Sequence, residues 1–205
     1  EAATALANPA FSARAGERDE YVAEALAQEQ DEWVRHALQR AIQRGRLAPD
    51  LGVVDASSRA LVVDGLRDRT DGPAIARLAG LVASGADSAL RVRAVLALQE
   101  NAYGEVPWDG RWWSIDPARR PPPARTVRHA ATERALEVLR AALSDRDEAV
   151  QLTALRAIAV LEDTQAVPQV RELATRGASP AARSEAFKTL GRLKDGSAAP
   201  LLAAA

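Results

Sequence analysis

The feature that most constrains this chain is an internal repeat near its C-terminus. Residues 147–170 align without a gap on residues 179–202, a shift of 32 residues. Apolar positions match under this shift, as Ile158 does with Leu190, and so do the turn positions Asp163 and Asp195. A fixed period of this length indicates stacked units, because each unit covers the apolar face of its neighbour.

The first half of the unit recurs upstream, at residues 31–42 and 87–98. Each copy opens with a residue that fits a helix N-cap, and apolar residues then follow at helical spacing. The four opening residues are Asp31, Asp87, Asp147 and Ser179. In the first copy one helix face is marked by Val34, Leu38, Ala41 and Ile42.

An arginine recurs at one position of this unit, as Arg35, Arg91 and Arg183, with Gln151 in the remaining copy. We expect these arginines to stack against the aspartates of neighbouring repeats. A row of anion-binding cations is the less favoured interpretation.

The whole chain predicts an all-α fold, a right-handed α-solenoid of helical hairpins that spans residues 1–205 as one unit. Alanine dominates the composition and aromatic residues make up only 4%, which favours helices over strands. The predicted helices lie near 17–29, 31–44, 57–68, 73–84, 88–100, 126–143, 147–161, 165–176, 180–193 and 197–204.

One connection is long, the inserted loop at residues 101–125. It holds five prolines, two glycines and three of the four tryptophans of the chain. A long irregular loop in a compact solenoid is usually functional or disordered, and disordered tracts are poor in aromatic residues. The loop is therefore the sharpest candidate for a functional site.

The 32-residue unit, with its Asp or Ser opening, its arginine and the proline of its second helix, resembles the short HEAT repeats also found in phycobilisome-lyase-type proteins. Residues 107–114 (PWDGRWWS) and 32–38 (EWVRHAL) are similar to segments in the HEAT region of large haem-binding multidomain proteins of planctomycete-type bacteria. After Ser114 the chain departs from that family's pattern.

The resemblance implies a parent protein with a sugar-dehydrogenase-like β-propeller before the repeats and a c-type cytochrome domain after them. This chain has no cysteine, so it carries no C-x-x-C-H haem site. We therefore expect no cofactor in this segment, with haem confined to other parts of the parent.

Charge and motifs argue against several other functions. The net charge of -1 provides no general attraction to nucleic acid or anionic membranes. No apolar stretch is long enough to span a bilayer, and no phosphate-binding loop or nucleophile elbow occurs. His36 and His129 each have a glutamate one helical turn away, Glu32 and Glu133, which we interpret as ordinary side-chain pairs rather than metal or catalytic sites.

The candidate binding residues are the aromatic and basic side chains of the loop. They are Trp108, Arg111, Trp112, Trp113, Arg119 and Arg120. Such a mixture can hold a partner protein, a base or a sugar. Alternatively, the tryptophans fold back and plug the solenoid, since a cluster of exposed indoles would invite aggregation.

These observations predict a non-catalytic scaffold or protein-interaction module, a segment of a larger bacterial protein that binds a neighbouring domain or a partner protein. The competing hypotheses are a nucleic-acid-binding HEAT array and a HEAT-type tetrapyrrole lyase or chaperone. The resemblance implies a periplasmic or secreted location, with a cytoplasmic one left open, and the sequence does not indicate an oligomeric state.

Overall fold

The computed structural model describes residues 15–45, 47–52, 54–84, 87–107 and 124–196. Within them lie nine α-helices, a 3₁₀ turn (Thr164–Ala166) and two short strands. The helices are α1 (Ala15–Gln28), α2 (Glu32–Gly45), α3 (Ala56–Gly65), α4 (Gly72–Ala83), α5 (Ser88–Asn101), α6 (Thr132–Ala142), α7 (Glu148–Leu161), α8 (Val167–Arg176) and α9 (Pro180–Arg192). The strands are β1 (Gly104–Glu105) and β2 (Arg125–Val127). The predicted helix at 197–204 lies outside the described residues.

The helices form two layers. In the first layer α3, α5, α7 and α9 contact one another in that order. In the second, α4 contacts α6, and each helix packs against the first-layer helix that follows it, as α8 does against α9. The chain is an all-α solenoid, as predicted.

One hydrophobic core runs through the stack. Its buried members extend from Val22 in α1 to Leu193 at the end of α9. The equivalent residues Ile158 and Leu190, and likewise Ala154 and Ala186, are fully buried in α7 and α9. The 32-residue repeat therefore describes two helices in equivalent places, which confirms the stacking inferred from the sequence.

All four predicted N-caps are confirmed. Asp147 accepts hydrogen bonds from the N–H groups of Ala149 and Val150, and Ser179 accepts one from Ala182 at 3.0 Å. The other two caps are Asp31 and Asp87. Since a cap satisfies N–H groups that the helix cannot, each is worth about 1 kcal/mol.

The predicted apolar face of α2 is correct except at its first position. Leu38, Ala41 and Ile42 are buried, but Val34 is 41% exposed and the adjacent Trp33 is 84% exposed. Helix α3 approaches α2 closely, because a Cβ on Gly65 would lie 2.9 Å from a methyl of Ile42.

Three predicted boundaries are wrong. The helix predicted at 126–143 begins only at Thr132, because residues 125–127 form a strand. The inserted loop is shorter than 101–125, since Asn101 belongs to α5 and both ends of the loop pair with each other. Helix α3 also ends at Gly65 rather than at residue 68, and the chain turns at Asp68 with a φ of 61°.

The prediction for the recurring arginine holds only for Arg91, which forms an ion pair with Asp145 at 2.5 Å. Arg183 instead donates to the carbonyl of Gly177 at 2.8 Å, and Gln151 donates to Leu143. Arg35 likewise donates to the carbonyls of Leu26 and Glu29. These side chains satisfy carbonyls at the end of the preceding helix, where a positive charge is also favourable.

None of the described helices is long and apolar enough to cross a membrane.

Candidate interaction site at the base of the insertion

The binding residues predicted from the sequence lie outside the part of the chain that the structure describes. They are Trp108, Arg111, Trp112, Trp113, Arg119 and Arg120. What the structure does describe is the base from which the insertion leaves the solenoid and returns.

The two ends of the insertion are held side by side by an antiparallel ladder. Gly104 pairs with Val127 and Glu105 with Arg125. The ladder continues for one more hydrogen bond, from the N–H of Val106 to the carbonyl of Ala124 at 2.8 Å. The chain thus leaves and re-enters the described part of the structure at paired positions, and we call residues 104–106 and 124–127 the stem.

Arg125 fastens this stem to the solenoid. Its guanidinium donates to the carbonyl of Glu100 at 2.6 Å and lies 2.9 Å from the carboxylate of Asp68. It also contacts Glu105 across the ladder, at 3.4 Å. Because Glu100 lies in α5 and Asp68 follows α3, one side chain links the stem to two first-layer helices.

Beneath the stem lies a buried amide, Asn101, at the last position of α5. Its side-chain NH₂ donates to the carbonyl of Leu66 at 2.8 Å, and its side-chain oxygen accepts from the N–H of Arg69. The fully buried amide has both of its polar atoms satisfied, which is the condition for burying it without loss of stability. The position where α5 ends is thereby fixed.

His129 completes the base, and its predicted pairing is wrong. Its Nε2 donates to the carbonyl of Asn101 at 2.8 Å, while its Nδ1 accepts from the N–H of Ala131. Glu133 instead pairs with Arg140 at 2.9 Å.

The second histidine, His36, is exposed on α2. Among the residues that the structure describes, no three His, Cys, Asp or Glu side chains come together to hold a metal ion. The two histidines lie on elements that are far apart along the chain, since His36 is in α2 and His129 precedes α6.

Several carboxylates among the described residues have a pKa that differs from the ordinary value, and their contacts suit structural roles. A hydrogen bond from Arg140 lowers the pKa of Glu133, and one from Ser88 lowers the pKa of Asp147. Burial raises the pKa of Asp19, against the opposing effect of the N–H of Ala48. A carboxylate whose pKa is lowered stays ionised at neutral pH, so it can accept hydrogen bonds but is a poor general acid.

Sequence reasoning missed the residues that build the base. Arg125 looked like one more loop arginine, and Asn101 and Asp68 carried no motif. The available signals were an asparagine at a predicted helix end and the β-favouring pair Thr-Val of Arg-Thr-Val shortly after three prolines. Their partners lie 20 to 57 residues away, beyond any local pattern.

Comparison with known families and structures agrees with the fold. Residues 136–205 match the family model described as HEAT repeats, which supports a HEAT-repeat protein. A crystal structure described as an engineered protein is similar at 20% identity, with a TM-score of 0.40, over 99% of this chain and 84% of that chain. A score this low adds nothing to the assignment. No curated protein matches the chain.

The class is thus an all-α solenoid whose residues 136–205 are similar to HEAT repeats, and HEAT repeats are typical of scaffolds and interaction modules. The narrower likeness to phycobilisome-lyase-type repeats and to the haem-binding multidomain proteins stays a prediction.

Proposed function

We propose that this chain is a non-catalytic scaffold whose insertion binds a partner protein or a neighbouring domain. The observation that carries the proposal is the stem: the ladder and Arg125 hold both ends of the insertion on the solenoid. A recognition loop on a rigid stem loses less conformational entropy on binding than one on a free tether.

The residue types of the insertion favour a protein partner. Trp108, Trp112, Trp113 and Arg111 belong to the residue types that dominate binding hot spots. Indole rings offer a large contact area, and guanidinium groups stack on them or pair with carboxylates. We propose that these four, together with Arg119 and Arg120, form the contact surface.

Ion pairing on the solenoid supports a protein partner over a nucleic acid. Arg93 pairs with Asp64 at 3.1 Å and Arg171 with Asp195 at 2.6 Å. Arginines that are neutralised within the protein are poorly suited to attract a phosphate backbone, whose binding depends on net positive charge.

The roles of the carboxylates support a non-catalytic function. The described carboxylates with lowered pKa values hold helix ends and repeats together, and HEAT repeats generally carry no catalytic machinery. We further propose that the segment needs no cofactor of its own.

The wider context is part of the proposal. The tryptophan-pair segment at residues 107–114 supports a place in a multidomain bacterial c-type cytochrome or dehydrogenase-like protein, periplasmic or secreted. Residues 1–205 would then be one solenoid unit within it. The sequence of the parent gene tests this: a β-propeller before the unit and a C-x-x-C-H motif after it would support the assignment, and the absence of both would refute it.

The binding role is tested with Trp112→Ala/Trp113→Ala. The partner is first identified by cross-linking in the source cells and then purified for titration. With about 2 kcal/mol for each hot-spot residue, the double variant should weaken binding by well over thirtyfold. Its melting temperature should stay within about 2 °C of the wild type, because a surface site adds little to stability.

Trp33→Ala is the matched control, since Trp33 is 84% exposed and lies outside the insertion. It should change neither binding nor melting. A large fall in melting temperature for the double variant, with partner binding retained, would show instead that the two tryptophans plug the solenoid.

A further inference from the structure

A continuous furrow crosses the second layer of the solenoid, away from the insertion. Three cavities, of about 410, 670 and 240 Å³, lie in turn against α4, between α4 and α6, and between α6 and α8. Ser84 lines both the first and the second cavity, and Ser144 lines both the second and the third. Because neighbouring cavities share a wall residue, we treat them as one surface, the second-layer furrow.

The bottom of the furrow is apolar, and the side chains along its edges are small. Val82 and Val138, which line the middle cavity, keep 7% and 9% of their surface exposed although they belong to the core. Ala83 and Ala141 are exposed beside them. Short side chains leave room for the side chains of another molecule, which would contact the exposed alanines and the small exposed part of the valines.

The furrow is more basic than the chain as a whole. Six arginines and four acidic residues line it, whereas the complete sequence has 27 basic and 28 acidic residues. Arg134 pairs with Glu137 only across 3.4 Å on the surface. Arg146 and Arg176 are exposed and form no ion pair within the described ranges of the chain. The furrow therefore carries an excess of positive charge that a partner could neutralise.

Its dimensions suit an extended polypeptide. Packed helices lie about 8–10 Å apart, as α4 and α6 do, and a similar step from the end of α6 to α8 would make the whole path about 20 Å. An extended chain covers about 3.3 Å per residue, and about six residues would bridge that path. One such segment could contact three successive helices of the second layer.

The distribution of charge favours a peptide over a nucleic acid. The acidic residues of the lining are mostly paired with arginines, as Asp50, Glu137 and Asp145 are, so they repel an acidic peptide only weakly. A phosphate backbone offers no apolar side chains to match the valines and alanines between these charges. No aromatic residue lines the furrow among the residues the structure describes, so stacking of bases has no platform there.

We infer that the second-layer furrow binds an extended acidic segment of a partner protein. Carboxylates of the segment pair with Arg134, Arg146 and Arg176, and small apolar side chains between them cover Val82 and Val138. This site is separate from the proposed role of the insertion, because none of its residues belongs to the insertion or its stem.

The test uses fluorescence anisotropy with a labelled peptide of about twelve alternating Asp and Val residues, long enough to span the furrow with both ends free. The wild-type chain should bind it saturably. Arg134→Glu/Arg146→Glu should bind at least about tenfold more weakly, because two attractive charges become repulsive. The matched control is Arg156→Glu/Arg192→Glu, the same change of charge on α7 and α9, and it should stay within about twofold of the wild type.

A neutral variant separates shape from charge. Ala141→Trp fills the middle of the furrow without changing the charge, and it should weaken binding about fivefold or more, whereas Ala181→Trp on α9 should not. Circular dichroism of each variant verifies that the helices are retained. If the charge-reversed furrow variant unfolds, the comparison of the two tryptophan variants decides the question.

Several results would overturn the inference. These are the absence of saturable peptide binding, equal weakening by the furrow and control charge reversals, or tighter binding of an oligothymidine of the same length than of the acidic peptide. Replacing the insertion by a short turn should leave peptide binding unchanged, so this experiment and the test of the insertion can fail independently.

Discussion

Arg69 offers the sharpest test of what holds the repeats together. Its side chain is 5% exposed and forms a two-bond ion pair with Asp71, with both distances 2.8 Å. The same guanidinium donates to the carbonyls of Ile42, at 2.9 Å, and of Leu47. One cation thus satisfies the end of α2 and holds the residue that caps α4.

The variant Arg69→Leu removes all of these bonds and leaves an apolar side chain of smaller reach. Two buried carbonyls lose their donor, at about 1–3 kcal/mol each. Loss of the ion pair adds less than it would in a fully buried site, because Asp71 remains 23% exposed and keeps its bond to the N–H of Ala74. Burial of leucine returns about 1–2 kcal/mol.

The net loss should be about 2–5 kcal/mol, or roughly 4–20 °C in melting temperature for a chain of this size. Urea titration followed by circular dichroism measures the free energy of unfolding. Hydrogen exchange should show the loss concentrated in α2 and α4, while α8 and α9 keep their protection, because a repeat stack transmits stability between neighbours only.

Arg67→Leu is the matched control. Arg67 pairs with Glu100, but the two side chains are 38% and 33% exposed, so its loss should cost no more than about 1 kcal/mol. The reasoning would be refuted if Arg69→Leu cost no more than this control, or if protection fell equally at the C-terminal end of the stack.

Further predictions follow from other contacts. Asp163→Asn should lower the free energy of unfolding, measured by urea titration, by about 3 kcal/mol, because Asp163 forms an ion pair and its side chain is only 5% exposed. Asp195→Asn should lower it by only about 1 kcal/mol, because the arginine that pairs with Asp195 is 43% exposed. Gly177→Ala should lower the melting temperature by several degrees, since the Cβ of the alanine would lie 2.5 Å from the carbonyl oxygen of Leu173. An unchanged melting temperature would contradict this. Burial alone would raise the pKa of Asp71, but the ion pair with Arg69 lowers this pKa below the usual 3.8. The ionised carboxylate therefore stabilises the fold fully above that pH, and the stabilisation is lost as the pH falls further. Unfolding free energies measured from about pH 5 downward should therefore fall more steeply in the wild type than in Asp71→Asn.

The local elements of the fold could be predicted from sequence because their causes are local. Asp147 and Ser179 cap helices through N–H groups two or three residues away, and the buried positions follow helical spacing. The alignment of Asp163 with Asp195 was visible too. Their partners were not, since Arg140 and Arg171 lie 23 and 24 residues earlier and only packing brings them close.

The strand pair was missed for a related reason. Residues 125–127 follow three prolines and precede a strongly helical segment, so local propensity favours extending α6 toward them. The partner strand, Gly104–Glu105, is only two residues long and has no period of its own. Pairing depends on the insertion returning to its starting point, which no window of sequence reports.

The ladder at the base of the insertion makes this position suitable for the insertion of other sequences. With Val106 and Ala124 joined by a hydrogen bond of 2.8 Å, the chain leaves and re-enters at neighbouring points whatever lies between. Lengthening the segment adds only a slowly growing entropy of closure, about 0.6 kcal/mol for each doubling. Foreign sequences, from epitope tags to small folded domains, could be grafted there while the helices on either side keep their register.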